Sequence, residues 1–69
     1  MLNWHIIFVI GDRTKLSIAQ LYKEELRDWS IASRISFDSE EEAYTYMVKL
    51  ANENGLNYKA KGCFDNFLD

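Results

Sequence analysis

The chain has 69 residues, of which 48% are hydrophobic and 14% aromatic, and its formal net charge is −3. This predicts a single compact domain, 1–69, near the lower size limit for folding without disulfides or metal ions, and the lack of proline argues against disorder. The one cysteine, Cys63, excludes an internal disulfide, and the acidic balance disfavours binding to phosphate backbones.

The first predicted element is a strand over 3–10. Trp4, Ile6, Phe8 and Ile10 alternate with His5, Ile7 and Val9, so both faces are largely apolar. A strand of this kind is typical of the centre of a sheet or of one covered on both sides. Residues 11–13 then form a turn.

Residues 15–28 fit two structures. As a strand, Leu16 and Ile18 alternate and 11–14 closes a hairpin with the first strand. As a helix, Ser17 caps the N-terminus, Gln20 completes a capping box, and no helix breaker follows before Asp28. The density of helix-forming residues favours a second short helix over 18–27.

Residues 29–37 are predicted to form a half-exposed strand. Trp29, Ile31, Ile35 and Phe37 share one face, and the intervening positions are mostly small or polar. The pattern places the apolar face against the core and the polar face towards solvent.

The principal helix is predicted over 39–54. Ser39 is its expected N-cap, Glu42 completes a capping box, and Gly55 provides the left-handed residue that ends it. Ala43, Met47, Leu50 and Ala51 share one face and so are expected to cover a sheet. A last strand over 56–61 and a short tail, 63–69, complete the chain. These elements predict an α+β fold with a single sheet of three to four strands and the principal helix on one face.

No catalytic, cofactor-binding or metal-binding residues are predicted. A pair formed by His5 and Cys63 lacks a third group to orient the imidazole, and the two residues alone do not make a zinc site. Glu40, Glu41 and Glu42 point about 100° apart on a helix, which suits capping rather than shared acid–base chemistry. The chain is therefore expected not to be an enzyme.

Two groups of apolar side chains are candidates for a protein-interaction surface. The tail interleaves acidic residues with apolar ones at helical spacing, and tyrosine and tryptophan often anchor interfaces. The candidate residues are Phe64, Phe67 and Leu68 in the tail, and Tyr44, Tyr46 and Trp29 elsewhere.

These observations favour a small non-enzymatic protein–protein interaction domain, of the adaptor or inhibitor type, with an unidentified protein partner. The single cysteine and the short apolar run near the N-terminus lead us to expect a cytoplasmic protein without a signal peptide or membrane span. One alternative is a self-associating homodimer that pairs through an exposed edge of the apolar first strand. Another is nucleic-acid binding through the more basic half, by Arg13, Lys15, Lys23, Arg27 and Arg34.

Overall fold

The computed structural model describes residues 2–60. In chain order the elements are β1 (Leu2–Val9), β2 (Asp12–Tyr22), a 3₁₀ helix (Lys23–Asp28), β3 (Ile31–Phe37), α1 (Glu40–Asn54) and β4 (Asn57–Tyr58). The four strands form one mixed sheet, and α1 packs on one of its faces. The predicted α+β class, with a principal helix on a single sheet, is confirmed.

The sheet has the strand order β3-β1-β2-β4. β1 pairs antiparallel with both β2 and β3, and β4 pairs parallel with β2. The prediction that the first strand is central is confirmed. Because both of its edges are paired, β1 offers no edge to a second copy, and the self-association hypothesis loses that premise.

The prediction of a helix over 18–27 is wrong for its first half. Residues up to Tyr22 continue β2, and only the segment that follows them is helical, as a 3₁₀ helix. The strand alternative, with a hairpin closed near Gly11 (φ 80°), is the one the protein adopts. The physical reason is burial on two sides: Ile18 is buried under α1, whereas Ala19 and Leu21 are buried on the opposite face.

The main core lies between α1 and the sheet. Its fully buried members are Ile6, Leu16, Ile18, Ala43, Met47 and Ala51. Removing a side chain such as Met47 from water contributes roughly 1.5–3 kcal/mol of stability, so this cluster supplies much of the driving force for folding. A second cluster on the opposite face consists of Ile7, Ala19 and Leu21, with Leu26, Trp29 and Ile31 packed against it.

Ser39 and Gly55 mark the two ends of α1 as predicted, but the predicted capping box does not form, because the Glu42 carboxylate accepts a hydrogen bond from the Ser39 hydroxyl and not from the Ser39 N–H. At the start, the Ser39 hydroxyl accepts a hydrogen bond from the Glu42 N–H (3.2 Å) and donates one to the Glu42 carboxylate (3.1 Å). At the end, Gly55 is left-handed (φ 66°), and the Leu56 N–H donates to the Ala51 carbonyl (2.9 Å). This six-to-one bond is characteristic of the Schellman arrangement, and the Ala51 carbonyl also accepts a hydrogen bond from the Gly55 N–H.

β3 departs from the predicted alternation. Its pairs with β1 are His5–Ser36 and Ile7–Ile31, so four residues, 32–35, stand opposite the single residue Ile6. This large bulge sends Ile31 to the second cluster and Phe37 to the α1 side, and it leaves Ile35 46% exposed. The predicted shared face of residues 29–37 is therefore wrong, because the bulge resets the alternation within the strand.

β4 is shorter than the predicted strand 56–61. Leu56 and Tyr58 pack against the main core, whereas Ala60 is exposed. The Lys59 N–H still donates to the Leu16 carbonyl (2.9 Å), which extends the pairing with β2 by one bond. The predicted tail, 63–69, lies outside the described residues.

Candidate functional site

The predicted aromatic surface residues are distributed over two faces. Tyr44 and Tyr46 are half-buried along the flanks of α1, and Trp29 is half-buried on the opposite face of the sheet. The structure therefore does not bring the three together. Their role in binding stays a prediction, as does that of Phe64, Phe67 and Leu68, which lie outside the described residues.

Both tyrosines make ring contacts within the domain. Tyr44 meets Tyr58 edge-on, with ring centroids 6.2 Å apart, and Tyr46 meets Phe37 at 5.4 Å. Such pairs contribute about 0.5–1.5 kcal/mol beyond the area they bury. Tyr46 thus packs α1 against β3, and Tyr44 packs it against β4.

A hollow of about 400 Å³ lies beside one of these contacts, on the α1 side of the molecule. Phe37 and Tyr46 contribute its apolar part, and Glu41, Glu42, Thr45 and Lys49 complete its lining. We call it the helix-side hollow. Of the predicted interaction residues, Tyr46 lines this hollow, beside two glutamates and one lysine.

The predicted basic residues come from three elements. Arg13 lies near the β1–β2 turn, with its guanidinium carbon 5.2 Å from the centre of the Phe8 ring, and Lys15 follows it in β2. Lys23 and Arg27 belong to the 3₁₀ helix, and Arg34 lies in the β3 bulge. Lys23 and Arg34 line a common hollow. A role of the five residues in nucleic-acid binding stays a prediction.

That hollow belongs to a groove on the opposite face of the sheet from α1. It lies between the 3₁₀ helix and the β3 bulge, and it consists of two adjoining parts of about 550 and 390 Å³. His5, Leu26 and Arg34 line both parts. We call it the His5 groove; its further lining residues are Ile31, Ala32 and Ser33 in the larger part, and Asn3, Lys23, Glu24 and Ser36 in the smaller.

The β3 bulge shapes one wall of the His5 groove. A regular strand would continue the ladder from Ser36 towards Ile31, but the extra residues displace Ser33 and Arg34 from that ladder. The Ser33 hydroxyl accepts a hydrogen bond from the Ile35 N–H (3.3 Å), which supports the bulged backbone. Bulges often aim side chains next to binding sites, and this one places Arg34 at the groove.

The 3₁₀ helix forms the other wall. The Glu25 carboxylate accepts a hydrogen bond from the Tyr22 N–H (2.8 Å), which fixes the turn out of β2. The Trp29 N–H donates to the Leu26 carbonyl (3.3 Å) at the other end. Leu26 is thereby held against the second cluster while it also lines the groove.

His5 connects the two parts of the groove. The residue is only 5% exposed, and this burial lowers the pKa of its imidazole below the usual value of 6.5. The ring is therefore neutral at pH 7, with one nitrogen that donates a hydrogen bond and one that accepts. Cys63, the other member of the pair considered from the sequence, lies outside the described residues, so the expectation that the two are not catalytic stays a prediction.

Sequence reasoning missed the His5 groove because its residues come from three separate elements. A partial signal was present: Asn3 and His5 interrupt an otherwise apolar strand on one face, and Ser36 stands opposite His5. Polar residues at successive positions on one face of a central strand indicate that this part of the face is not covered by apolar side chains. Their location relative to Lys23 and Arg34 depends on the fold.

Metal binding and membrane insertion find no support in residues 2–60. No group of three or more histidine, cysteine, aspartate or glutamate side chains within this range is placed to hold a metal ion. Neither helix described is long and apolar enough to span a membrane.

Comparison with known proteins identifies no relative. No protein-family model, curated protein or solved structure matches the chain. Functional inference therefore depends on the geometry of the molecule alone.

Proposed function

We propose that this chain is a small non-enzymatic protein-interaction domain, and that the His5 groove is where it binds its partner. The observation that carries the proposal is the groove itself: a partly open, partly apolar concavity whose lining includes the buried His5 and two exposed cations, Lys23 and Arg34. Binding sites commonly combine apolar walls with a few polar groups that orient the ligand.

The outer strand β3 is poorly suited to pairing with a partner. Its bulge and the exposed charge of Arg34 interrupt the regular backbone that a pairing strand requires. Bulges and charges are among the usual means by which proteins prevent edge-to-edge pairing. On the other side, β4 pairs with β2 at Lys15 and Leu16, so no described strand covers the edge of β2 beyond Leu16. A homodimer stays a prediction.

A cytoplasmic location is part of this proposal. The chain has one cysteine and so does not depend on an oxidising compartment for disulfides. A protein without disulfides is compatible with a reducing compartment such as the cytoplasm.

The experiment is a selection of extended peptides from a random display library against the full chain. Ser33→Tyr fills the His5 groove, and Thr45→Tyr fills the helix-side hollow, so the two variants are matched in the residue introduced. We expect peptides enriched by the unmodified chain to bind Thr45→Tyr equally and Ser33→Tyr at least about tenfold more weakly, a loss of about 1.4 kcal/mol. Circular dichroism of both variants checks that they fold.

The opposite result for the two variants would assign peptide binding to the other hollow. Loss of binding in Thr45→Tyr alone would assign the interaction to the helix-side hollow, where Tyr46 was predicted to contribute. Equal binding to both variants, or no enriched peptide, would refute the His5 groove as the interaction site.

A further inference from the structure

The His5 groove has two chemically different parts. The larger part has apolar side chains, Leu26, Ile31 and Ala32, on its walls. The smaller part is polar and carries the two cations, Lys23 and Arg34. A ligand that fills both parts therefore needs an apolar group and a polar group close together.

The charge of the polar part indicates the sign of that group. Lys23 and Arg34 contribute two positive charges and Glu24 one negative charge, so the lining has a net charge of +1 while His5 is neutral. Neither cation forms an ion pair with another described residue. A group with a single negative charge neutralises this lining, whereas a dianion leaves an excess of negative charge beside Glu24.

The donors around the groove suit a carboxylate. Arg34 presents a planar fork of N–H donors that matches the two oxygens of a carboxylate, and Lys23 adds a mobile ammonium. Asn3, Ser36 and the His5 ring supply further neutral donors within the same lining. The chemistry is that of an acidic side chain held by charge-assisted hydrogen bonds.

The open shape of the groove indicates a chain segment rather than a small acid. Small-molecule sites usually enclose most of the ligand surface, whereas both parts of this groove are partly open to solvent. An extended peptide fits such a surface because its alternate side chains enter the groove while its backbone stays outside.

We propose, on the basis of the proposed function, that the partner of the His5 groove is an extended protein segment in which an acidic residue lies close to an apolar one. The carboxylate of the acidic residue binds at Lys23 and Arg34. The apolar side chain packs on Leu26 and Ile31. Because the whole chain carries a net charge of −3, partners with long acidic runs or phosphate backbones are repelled at a distance, and a segment with one acidic residue is preferred.

The test uses three synthetic pools of fluorescent extended peptides and the full chain. Every peptide contains one leucine and one second fixed residue, which is glutamate in the first pool, glutamine in the second and phosphoserine in the third. Within each pool, the spacing between the leucine and the second residue varies over all nearby positions. Binding is measured by fluorescence polarisation at two salt concentrations, and amide chemical shifts of residues 3–5 and 31–36 report whether the peptide occupies the groove. We expect the glutamate pool to bind about tenfold more tightly than the glutamine pool, with the difference reduced at high salt.

Two variants locate the charge contact. Arg34→Gln combined with Lys23→Gln is expected to remove the preference for glutamate over glutamine while leaving the weaker binding of the glutamine pool unchanged. Lys49→Gln, which removes an exposed cation from the helix-side hollow, is the matched control and should keep the preference.

The outcomes separate the two proposals. Equal binding of the glutamate and glutamine pools, with shifts in the groove, would overturn the acidic partner but support the groove as an interaction site. Tighter binding of the phosphoserine pool would replace the carboxylate with a phosphorylated segment. If none of the pools shifts the groove amides, and the display selection enriches no groove-binding peptide, the proposed function itself fails.

Discussion

Ser17 provides the sharpest test of how the second face of the sheet is packed. Its hydroxyl oxygen is fully buried and has no hydrogen-bond partner among residues 2–60, and its neighbour across the β1–β2 ladder is the buried Ile7. Burying an unpaired hydroxyl costs about 1–3 kcal/mol relative to water. Ser17→Ala removes that penalty, and it adds no atoms to a closely packed site.

The expected gain is reduced by strand propensity. Alanine is less favourable than most residues in strands, on a scale that spans about 1 kcal/mol. The net effect is therefore an increase of about 1 kcal/mol in the free energy of unfolding. For a domain of 60–100 residues this corresponds to a rise in Tm of about 4–8 °C.

Urea unfolding of the full chain, followed by tryptophan fluorescence, measures the change directly. Trp4 packs on the α1 side and Trp29 on the opposite side, so the signal reports both faces of the sheet. Ser36→Ala is the matched control because Ser36 is exposed in β3, and its free energy of unfolding should change by less than about 0.5 kcal/mol. A loss of 1 kcal/mol or more in Ser17→Ala would refute the reasoning, because it would show that the hydroxyl is hydrogen-bonded in the folded protein.

Three further predictions concern the core, a helix end and the buried imidazole. Met47→Ala should lower the free energy of unfolding by about 2–5 kcal/mol in the same urea assay because it leaves a cavity under α1, and a loss below 1 kcal/mol would contradict full burial. Gly55→Ala should lose about 1–2 kcal/mol because of its left-handed backbone; an unchanged midpoint would argue against that conformation. Burial lowers the pKa of His5, so the unfolded chain takes up the proton first and stability should fall as pH drops below about 6.5. His5→Gln should flatten that fall between about pH 7 and pH 5, and an equally steep fall in the variant would assign it to other groups.

The helix-side half of the fold could be predicted from the sequence because its signals are local. Ser39 and Gly55 mark the two ends of α1 through contacts within four or five residues, and the apolar stripe through Met47 identifies the buried face. The largely apolar faces of 3–10 likewise predicted a central strand. Short-range hydrogen bonding and side-chain periodicity are sufficient for both conclusions.

The interaction site could not be predicted in the same way. Tyr44 and Tyr46 were predicted as candidates for the interaction surface, but their contacts with Tyr58 and Phe37 depend on where β4 and β3 lie beside α1. The His5 groove requires the 3₁₀ helix and the β3 bulge to meet over the same end of β1. No local sequence pattern encodes the relative position of these two elements.

The sequence alone determined the α+β class, the limits of the principal helix and the central place of the first strand, since each depends on neighbours along the chain. Only the tertiary structure decided between helix and strand for residues 18–22, because pairing with β1 and burial on two faces outweigh a local preference for helix. It also decided the bulge opposite Ile6, because a register exists only between two strands. The groove follows from both of these non-local choices, and with it the position of His5 beside Lys23 and Arg34.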